Sequence, residues 1–243
     1  MKILITGASG TIGSVLLKCL SGKHAVIGVD KIPSSNVMTL DIVNEQEQLR
    51  DLLKGVDVVI HLAWDVKEAG TALNVSVAEN KIMGEIMYAI SLEQKVKRFI
   101  LASSVHVSFG HINYRHPGIV ENHSILHKKK ITTQDDYFPL GIYGTSKVYL
   151  EILGKAYSEK GLQVVAVRFG NVTDDNSFGE YPFWLSHRDC CQFIEKCVVV
   201  NNLPKYSVFF AISDNPCNPF DLSDARLQLG YEPKDKSECP NLK

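Results

Sequence analysis

The sequence lacks the marks of several protein classes. No apolar run approaches the ~20 residues that a membrane-spanning helix needs, and nothing after Met1 resembles a signal peptide. The net charge of −1 gives no electrostatic basis for binding nucleic acid or an anionic membrane. There is no internal repeat and no low-complexity tract. We therefore expect a globular protein without a membrane or nucleic-acid partner, and 243 residues suit one large domain.

Cysteine and histidine patterns are also missing. The six cysteines show no Cys-x-x-Cys spacing, and two of them are adjacent. They are Cys19, Cys190, Cys191, Cys197, Cys217 and Cys239. We expect free thiols in a reducing cytoplasm rather than a disulfide framework or a zinc site. Four of the eight histidines lie between residues 110 and 140, but their irregular spacing and the absence of nearby acid–His pairs argue against a metal site.

A glycine-rich turn near the N-terminus is the first positive signal. The apolar run Lys2–Thr6 leads into Gly7, Gly10 and Gly13, and a helical pattern follows over residues 15–20. Glycines let a backbone approach a pyrophosphate closely, and a helix N-terminus offers free N–H groups and the positive end of its dipole. The pattern predicts a dinucleotide-binding turn, although three glycines also occur in plain tight turns.

An acidic residue indicates which dinucleotide binds. Asp30 follows the second predicted strand, residues 25–29. A carboxylate at this point accepts hydrogen bonds from the ribose hydroxyls of NAD and repels the 2′-phosphate of NADP. Lys31 comes directly after it and weakens the inference. The prediction is NAD rather than NADP.

The rest of the chain alternates between strand and helix patterns. Further strands are predicted over residues 37–40, 56–62, 98–102, 163–168 and 207–212. Helices are predicted over residues 44–54, 71–94, 142–153, 186–200 and 222–229. Ser186 is the expected N-cap of the fourth helix, with Asp189 completing a capping box, and Gly230 is the expected stop of the last. Residues 110–140 show no clear periodicity, and the tail from Pro233 is expected to be loose.

This alternation predicts an α/β fold, a doubly wound parallel-sheet Rossmann fold with a small C-terminal substrate-binding portion. We expect one domain over residues 1–243. Residues 1–168 would mainly bind the dinucleotide, and residues 169–243 would form the substrate side.

Two side chains four residues apart suggest proton transfer. Tyr143 and Lys147 share one face of a predicted helix. A phenol ordinarily titrates near ~10, and a nearby ammonium lowers its pKa toward the working range. Ser104, beyond the predicted strand 98–102, could hold a substrate oxygen while Tyr143 takes its proton. Each residue alone also fits an ordinary amphipathic helix or a strand-end turn.

Taken in order, several motifs resemble the extended short-chain dehydrogenases/reductases, the NAD-dependent epimerase/dehydratase superfamily. They are Thr6–Gly13, Asp30, Asp41-Ile42, His61-Leu62-Ala63, Ser103-Ser104 and Tyr143-x-x-x-Lys147. Residues 102–106, 142–147 and 184–189 look most like the hexuronate dehydrogenases. Those enzymes oxidise the anomeric hydroxyl of a free sugar acid and pass hydride to NAD.

The resemblance implies a role for individual residues. Tyr143 would be the base, Lys147 would bind the nicotinamide ribose and lower the pKa of Tyr143, and Ser104 would complete the catalytic set. The cofactor-binding residues would be Gly7, Gly10, Thr11, Ile12, Gly13, Asp30, Asp41, Ile42, Leu62, Ala63 and Lys147. The substrate-binding residues would be Ser104, Val105, His106 and Asn171. A dimer is also implied, formed through helices 71–94 and 142–153 with an apolar stripe of Leu150, Leu153 and Tyr157.

The sequence departs from the hexuronate dehydrogenases at three places. Val105 stands where those enzymes have a sugar-binding Asn, and Asn80 and Lys81 straddle the usual Asn of the long helix. Residues 174–181 contain no Lys or Arg, although those enzymes place there an Arg that holds the sugar carboxylate. A neutral or phosphorylated sugar, or a polyol, is therefore the expected substrate.

The predicted function is that of an NAD-dependent oxidoreductase. It would transfer hydride between a sugar-like hydroxyl and NAD by means of Ser104, Tyr143 and Lys147. Two alternatives remain open from the sequence: a nucleotide-sugar epimerase with tightly bound NAD, and a non-catalytic dinucleotide-sensing protein.

Overall fold

The computed structural model describes residues 1–65, 78–115, 129–177 and 182–238, without the side chains of 113–115. The strands are β1 (Lys2–Thr6), β2 (Ala25–Asp30), β3 (Met38–Thr39), β4 (Val58–His61), β5 (Arg98–Ser104), β6 (Gln163–Phe169) and β7 (Tyr206–Ala211). The helices are α1 (Thr11–Leu20), α2 (Gln46–Leu53), α3 (Ala78–Glu93), α4 (Gly110–Arg115), α5 (Gly141–Glu159), α6 (His187–Val199) and α7 (Ser223–Leu229). A short 3₁₀ helix covers Val105–Val107.

The strands form one parallel sheet in the order β3-β2-β1-β4-β5-β6-β7. The chain runs outward in one direction from β1 to β3 and in the other from β4 to β7. In open parallel sheets the point of this reversal opens a crevice beyond the carboxyl ends of the strands, where ligands bind. The predicted doubly wound fold is confirmed.

Two apolar layers cover the two faces of the sheet. Alternate side chains of a strand point to opposite faces. Ile5 of β1 packs in one layer with Leu16 of α1 and Phe193 of α6. Leu4 packs in the other layer with Met87 of α3, beside residues of α2 and α5. These layers fix the positions of the strand ends from which the site is built.

Several element boundaries differ from the sequence-based predictions. Helix α1 begins at Thr11, directly after Gly10, and not at residue 15, so Gly13 lies inside the helix. Strand β5 continues through Ser104, two residues further than predicted, because β6 pairs with it to the end. The region 110–140, predicted to lack periodicity, begins with α4. The first part of the predicted helix 71–94 lies outside the described residues, and α3 is described from Ala78.

The described part of the C-terminal tail is held in place at Lys234 and Asp235, where the prediction of a loose tail is wrong. The carboxylate of Asp189 accepts hydrogen bonds from the backbone N–H groups of Lys234 (2.7 Å) and Asp235 (3.0 Å). Ser186 caps α6 as predicted, since its Oγ accepts from the Asp189 N–H at 3.0 Å. The capping box is indirect, however. Ser213 Oγ donates to the Asp189 carboxylate and accepts from the Ser186 N–H.

The cysteines correct a second expectation. Cys19, Cys190, Cys191 and Cys197 carry free thiols. Cys217 is disulfide-bonded, so the prediction of free thiols is wrong there. The sixth cysteine, Cys239, lies outside the described residues.

Among the helices in the described part of the chain, none is long and apolar enough to cross a membrane.

Candidate active site

The glycine turn between β1 and α1 has the shape that an anion requires. Gly7 has a φ of +71°, and a Cβ there would lie 2.6 Å from the backbone N of Ala63. A Cβ on Gly13 would lie 2.7 Å from Cα of Ala8 and would also overlap the Gly7 carbonyl. Gly10 is the N-cap of α1 and supplies no side-chain cap. The first N–H groups of α1 are therefore available to a pyrophosphate.

One side chain from the substrate side contacts this turn. Thr11 Oγ1 donates a hydrogen bond to the carboxylate of Asp174, which follows β6. The contact joins the glycine turn to the segment that extends from the carboxyl end of β6. Asp174 also brings a negative charge to the N-terminal end of α1, where the helix dipole is positive.

Asp30 lies beside the glycine turn, as predicted. Its Oδ2 accepts a hydrogen bond from the Ser9 N–H at 3.0 Å, and its Oδ1 accepts one from the Ile32 N–H at 2.9 Å. Lys31, the residue expected to weaken the preference for NAD, pairs with Asp65. The ammonium of Lys31 therefore has its own acidic partner, which leaves the Asp30 carboxylate suited to ribose hydroxyls.

The other predicted cofactor residues divide into two groups. Leu62 and Ala63 follow β4 and touch the turn, since their N–H groups bond the backbone oxygen (3.1 Å) and Oγ1 (3.3 Å) of Thr6. Asp41 instead organises its own turn by accepting the N–H groups of Val43 and Asn44. Burial acts to raise the pKa of Asp41, but these hydrogen bonds outweigh it and lower the pKa. The side chain of Ile42 is buried in the core, so this pair can border an adenine mainly through its backbone.

Ser104, Tyr143 and Lys147 meet at the carboxyl end of β5. Ser104 ends β5, and Tyr143 and Lys147 lie in the first two turns of α5. The Ser104 side chain lies close enough to the Tyr143 phenol to counteract part of the effect of burial on its pKa. The Lys147 ammonium lies 5.7 Å from the centroid of the Tyr143 ring and donates to the Ala102 carbonyl at 2.8 Å. The three residues named from the sequence therefore form one cluster.

The protonation of this cluster differs from the prediction. Burial raises the pKa of Tyr143, and the nearby Ser104 side chain offsets part of that rise. The expected lowering by Lys147 does not dominate. Burial lowers the pKa of Lys147 to about 7, against a smaller opposite effect of Glu151. The ammonium charge therefore depends on the groups that surround it.

Aromatic rings line the space beside Tyr143. The ring of His106 stacks on Phe109 with centroids 4.5 Å apart and meets the Tyr143 ring edge-on at 5.4 Å. Phe183, from the substrate side, meets Phe109 at 5.1 Å. Burial lowers the pKa of His106, so its imidazole is neutral at neutral pH. His106 Nδ1 lies 3.0 Å from Ser104 Oγ, which keeps it within reach of a substrate oxygen.

Two predicted substrate residues are placed less favourably. The side chain of Val105 is buried in the core, so it faces away from the crevice. Asn171 extends from β6, and its backbone bridges residues 183–185 through two hydrogen bonds of 2.8 Å. Its side chain is exposed at the rim of the crevice.

Sequence reasoning missed Trp64 and did not resolve Asn80. Trp64 follows β4. The centroid of its ring lies 3.7 Å from the Lys147 ammonium and 5.5 Å from the centroid of the Tyr143 ring. Asn80 of α3 is buried and holds the backbone of Asp65 through the N–H (2.6 Å) and the carbonyl (2.9 Å). The signal for Trp64 was its position just beyond the carboxyl end of a strand.

A buried ion pair lies behind the cluster and was also missed. Arg168 of β6 donates to Glu151 of α5 through Nε (3.0 Å) and a terminal nitrogen (2.9 Å). Ser103 Oγ donates to the same carboxylate, and Arg168 also reaches Ser108 Oγ at 3.2 Å. Glu151 follows Lys147 by one helical turn, so the pair ties the catalytic helix to β5 and β6.

Within the described ranges, no group of three His, Cys, Asp or Glu side chains could hold a metal ion.

Comparisons with known proteins indicate the family of the chain. NAD-dependent glucose-6-phosphate dehydrogenase of Haloferax volcanii is 32% identical over 97% of this chain and 94% of its own length. Uronate dehydrogenase of Pseudomonas putida is 28% identical over 98% and 85%. A solved structure of a mutant uronate dehydrogenase from Agrobacterium tumefaciens, complexed with NAD, has a TM-score of 0.74 at 22% identity and covers 97% of this chain and 85% of that one. This last likeness shows the fold.

A sequence model of one family matches most of the chain, over residues 3–181. That range contains the glycine turn, Asp30, Ser104, Tyr143 and Lys147. With the Haloferax relative, it establishes that this chain belongs to the NAD dependent epimerase/dehydratase family.

Proposed function

We propose that the protein is an NAD-dependent oxidoreductase that transfers hydride between a hydroxyl-bearing carbon of a sugar-like substrate and NAD. The observation that carries the proposal is the meeting of Ser104, Tyr143 and Lys147 beside a glycine turn shaped for a pyrophosphate. The family and the dehydrogenase relatives confirm the sequence-based prediction at this level.

The residues of the site divide the work of this reaction among them. Bound NAD supplies the hydride acceptor. The uncapped N-terminus of α1 binds the pyrophosphate, and Asp30 accepts hydrogen bonds from the adenosine ribose. Ser104 Oγ positions the substrate oxygen, and Tyr143, as the phenolate, accepts its proton while hydride passes to NAD. The Lys147 ammonium binds the second ribose and offers the positive charge that favours the phenolate.

We further propose a neutral or phosphorylated sugar rather than a hexuronate. A buried carboxylate needs a cationic partner, and the described segment 170–177 brings Asp174 and Asp175 but no Lys or Arg. Arg188 is paired with Asp235, outside this segment. The relative named as a glucose-6-phosphate dehydrogenase supports a sugar phosphate, whose more negative group would need a cation from outside this segment.

A substrate panel tests both statements. Formation of NADH is followed with glucose, glucose 6-phosphate, glucuronate and galacturonate. We expect kcat/KM for each uronate to lie at least ~100-fold below that of the best substrate, because one charge-assisted contact is missing. A uronate turned over at or above ~10⁴ M⁻¹s⁻¹ would overturn the substrate proposal. Conversion of a sugar without net NADH would indicate an epimerase instead.

We propose that two copies pair through α3 and α5. Ile82 of α3 and Tyr149 and Ile152 of α5 are exposed apolar side chains on these adjoining helices. The stripe named from the sequence is placed differently. Leu150 is buried in the core, and Leu153 and Tyr157 pack partly against it. The exposed set replaces it as the candidate dimer surface.

Light scattering of matched variants tests the pairing. Ile152→Asp, at a side chain that is 54% exposed, should shift a dimeric mass to a monomeric one at micromolar concentration. Leu227→Asp is the control, because Leu227 is 85% exposed on α7, which takes no part in the proposed surface. A monomeric mass for the unmodified chain would refute the pairing.

We also propose a cytoplasmic location, and a division of labour at residue 168. Residues 1–168 would bind NAD and residues 169–243 would contact the substrate. The free thiols of Cys19, Cys190, Cys191 and Cys197 are compatible with a reducing compartment, and the disulfide of Cys217 is the exception. Cell fractionation with an antibody to the chain tests the location.

A further inference from the structure

Trp64 has no task in the proposed reaction, yet its ring faces the Lys147 ammonium. The Nζ of Lys147 lies 3.7 Å from the centroid of the indole and donates to the Ala102 carbonyl at 2.8 Å. Lys147 is buried in the protein. A cation over the face of Trp, the strongest aromatic partner, is attracted by the ring quadrupole, and more so when water is excluded.

The indole is held from two sides. Asn80 fixes the backbone of the next residue, Asp65, through both its N–H and its carbonyl. The Tyr143 ring meets the indole edge-on, with an angle of 87° between the ring planes. A ring fixed in this way presents one constant face to the ammonium, so Lys147 cannot turn away without losing the contact.

The titratable groups around Lys147 are either engaged elsewhere or uncharged, so the indole remains as a partner for the ammonium. Glu151, on the same helix, is already engaged by Arg168 and Ser103. His61 of β4 is neutral, because burial and the Lys147 charge lower its pKa to about 3. Tyr143 and His106 face the cluster from α5 and from the turn after β5, and both are uncharged at neutral pH since burial raises the pKa of one and lowers that of the other.

We infer that Trp64 is a positioning residue, which keeps the Lys147 ammonium charged and aimed at the crevice through the face of its indole. The inference rests on the proposed function, because it assigns Lys147 its role there. Loss of electron density from the indole should let Lys147 release its proton at a lower pH. The alkaline limb of the pH profile of kcat/KM should then move to lower pH.

Fluorinated tryptophans test this with little change of shape. The chain contains two tryptophans, so a Trp184→Phe variant carries the label only at Trp64. Incorporation of mono-, di-, tri- and tetrafluorotryptophan weakens the ring quadrupole in steps. We expect the alkaline limb to move downward in the same order, by about one pH unit over the series. If Trp184→Phe does not fold, the unmodified chain labelled at both positions gives the same series.

Trp64→Phe and Trp64→Leu provide a second series. The alkaline limb should fall in the order Trp, Phe, Leu. A limb that stays in place through the fluorinated series would overturn the inference. A limb that moves to higher pH would also overturn it, because it would mean that Trp64 acts by excluding water from Lys147.

A readout without turnover separates this inference from the proposed function. In the Trp184→Phe protein, the fluorescence of Trp64 should change with pH in one step, and Lys147→Met should abolish that step. If the step is present but no sugar yields NADH, the proposed function fails, while the interaction of Trp64 with a titrating Lys147 is still supported. If NADH forms but neither the limb nor the fluorescence responds, the inference alone fails.

Discussion

Substitution of Glu151 by Gln should destabilise the protein strongly. The side chains of Glu151 and Arg168 are 0% and 2% exposed, and two hydrogen bonds join them. Gln keeps the shape but removes the charge, which leaves the Arg168 guanidinium buried without a counter-ion. Breaking a buried pair from one side costs about 3–5 kcal/mol. In a domain of this size that corresponds to a fall in Tm of roughly 6–20 °C.

Urea unfolding followed by circular dichroism measures the free-energy change, and calorimetry measures Tm. Asp51→Asn is the control, because Asp51 and its partner Lys54 are 71% and 69% exposed. Such surface pairs contribute about 0–1 kcal/mol. Glu151→Met combined with Arg168→Met should recover most of the loss, since apolar side chains replace buried pairs well. A loss below about 1 kcal/mol for Glu151→Gln would refute the reasoning and mean that water reaches Arg168.

Three further predictions concern the site. Gly13→Ala should abolish NAD binding in isothermal titration, because its Cβ would lie 2.7 Å from Cα of Ala8, whereas Gly22→Ala, outside the turn and with nothing within 4 Å of its Cβ, should bind normally. Equal binding by both would contradict the close approach. Tyr143→Phe should lower kcat at least ~100-fold and leave the Kd for NAD within about twofold; retained activity would assign proton transfer to another group. Asp30→Asn should weaken NAD binding about tenfold and reduce the difference in affinity between NAD and NADP. An unchanged ratio of the two affinities would mean that another residue sets the preference for NAD.

The glycine turn could be predicted because its requirements are local. Gly7 needs its positive φ and Gly13 its missing Cβ, and the sequence pattern states both directly. The strands were found because buried parallel strands are continuous apolar runs. The end of β5 was misplaced for the same reason. Ser103 and Ser104 are polar, and their pairing with Arg168 and Phe169 is a matter of register that hydrophobicity does not show.

The rest of the site depends on contacts between distant parts of the chain. Arg168 meets Glu151 only because β6 lies beside β5 under α5. Trp64 meets Lys147 because β4 ends at the same edge of the sheet. The dimer stripe failed for a related reason. Helical period shows which residues share a face, but Leu150 faces the core because Gly84 of α3 leaves room for it.

The carboxylate of Asp189 joins three segments that are far apart in sequence. It accepts hydrogen bonds from Ser213 after β7 and from the backbone of Lys234 and Asp235. Asp189 itself lies in the first turn of α6, which Ser186 caps. If Lys234 and Asp235 detached, the buried Asp189 carboxylate would lose two of its hydrogen-bond donors. Separate fraying of this segment is therefore costly. The amide protons of Lys234 and Asp235 should therefore exchange with solvent at rates close to those of the first turn of α6, as members of one cooperatively opening unit.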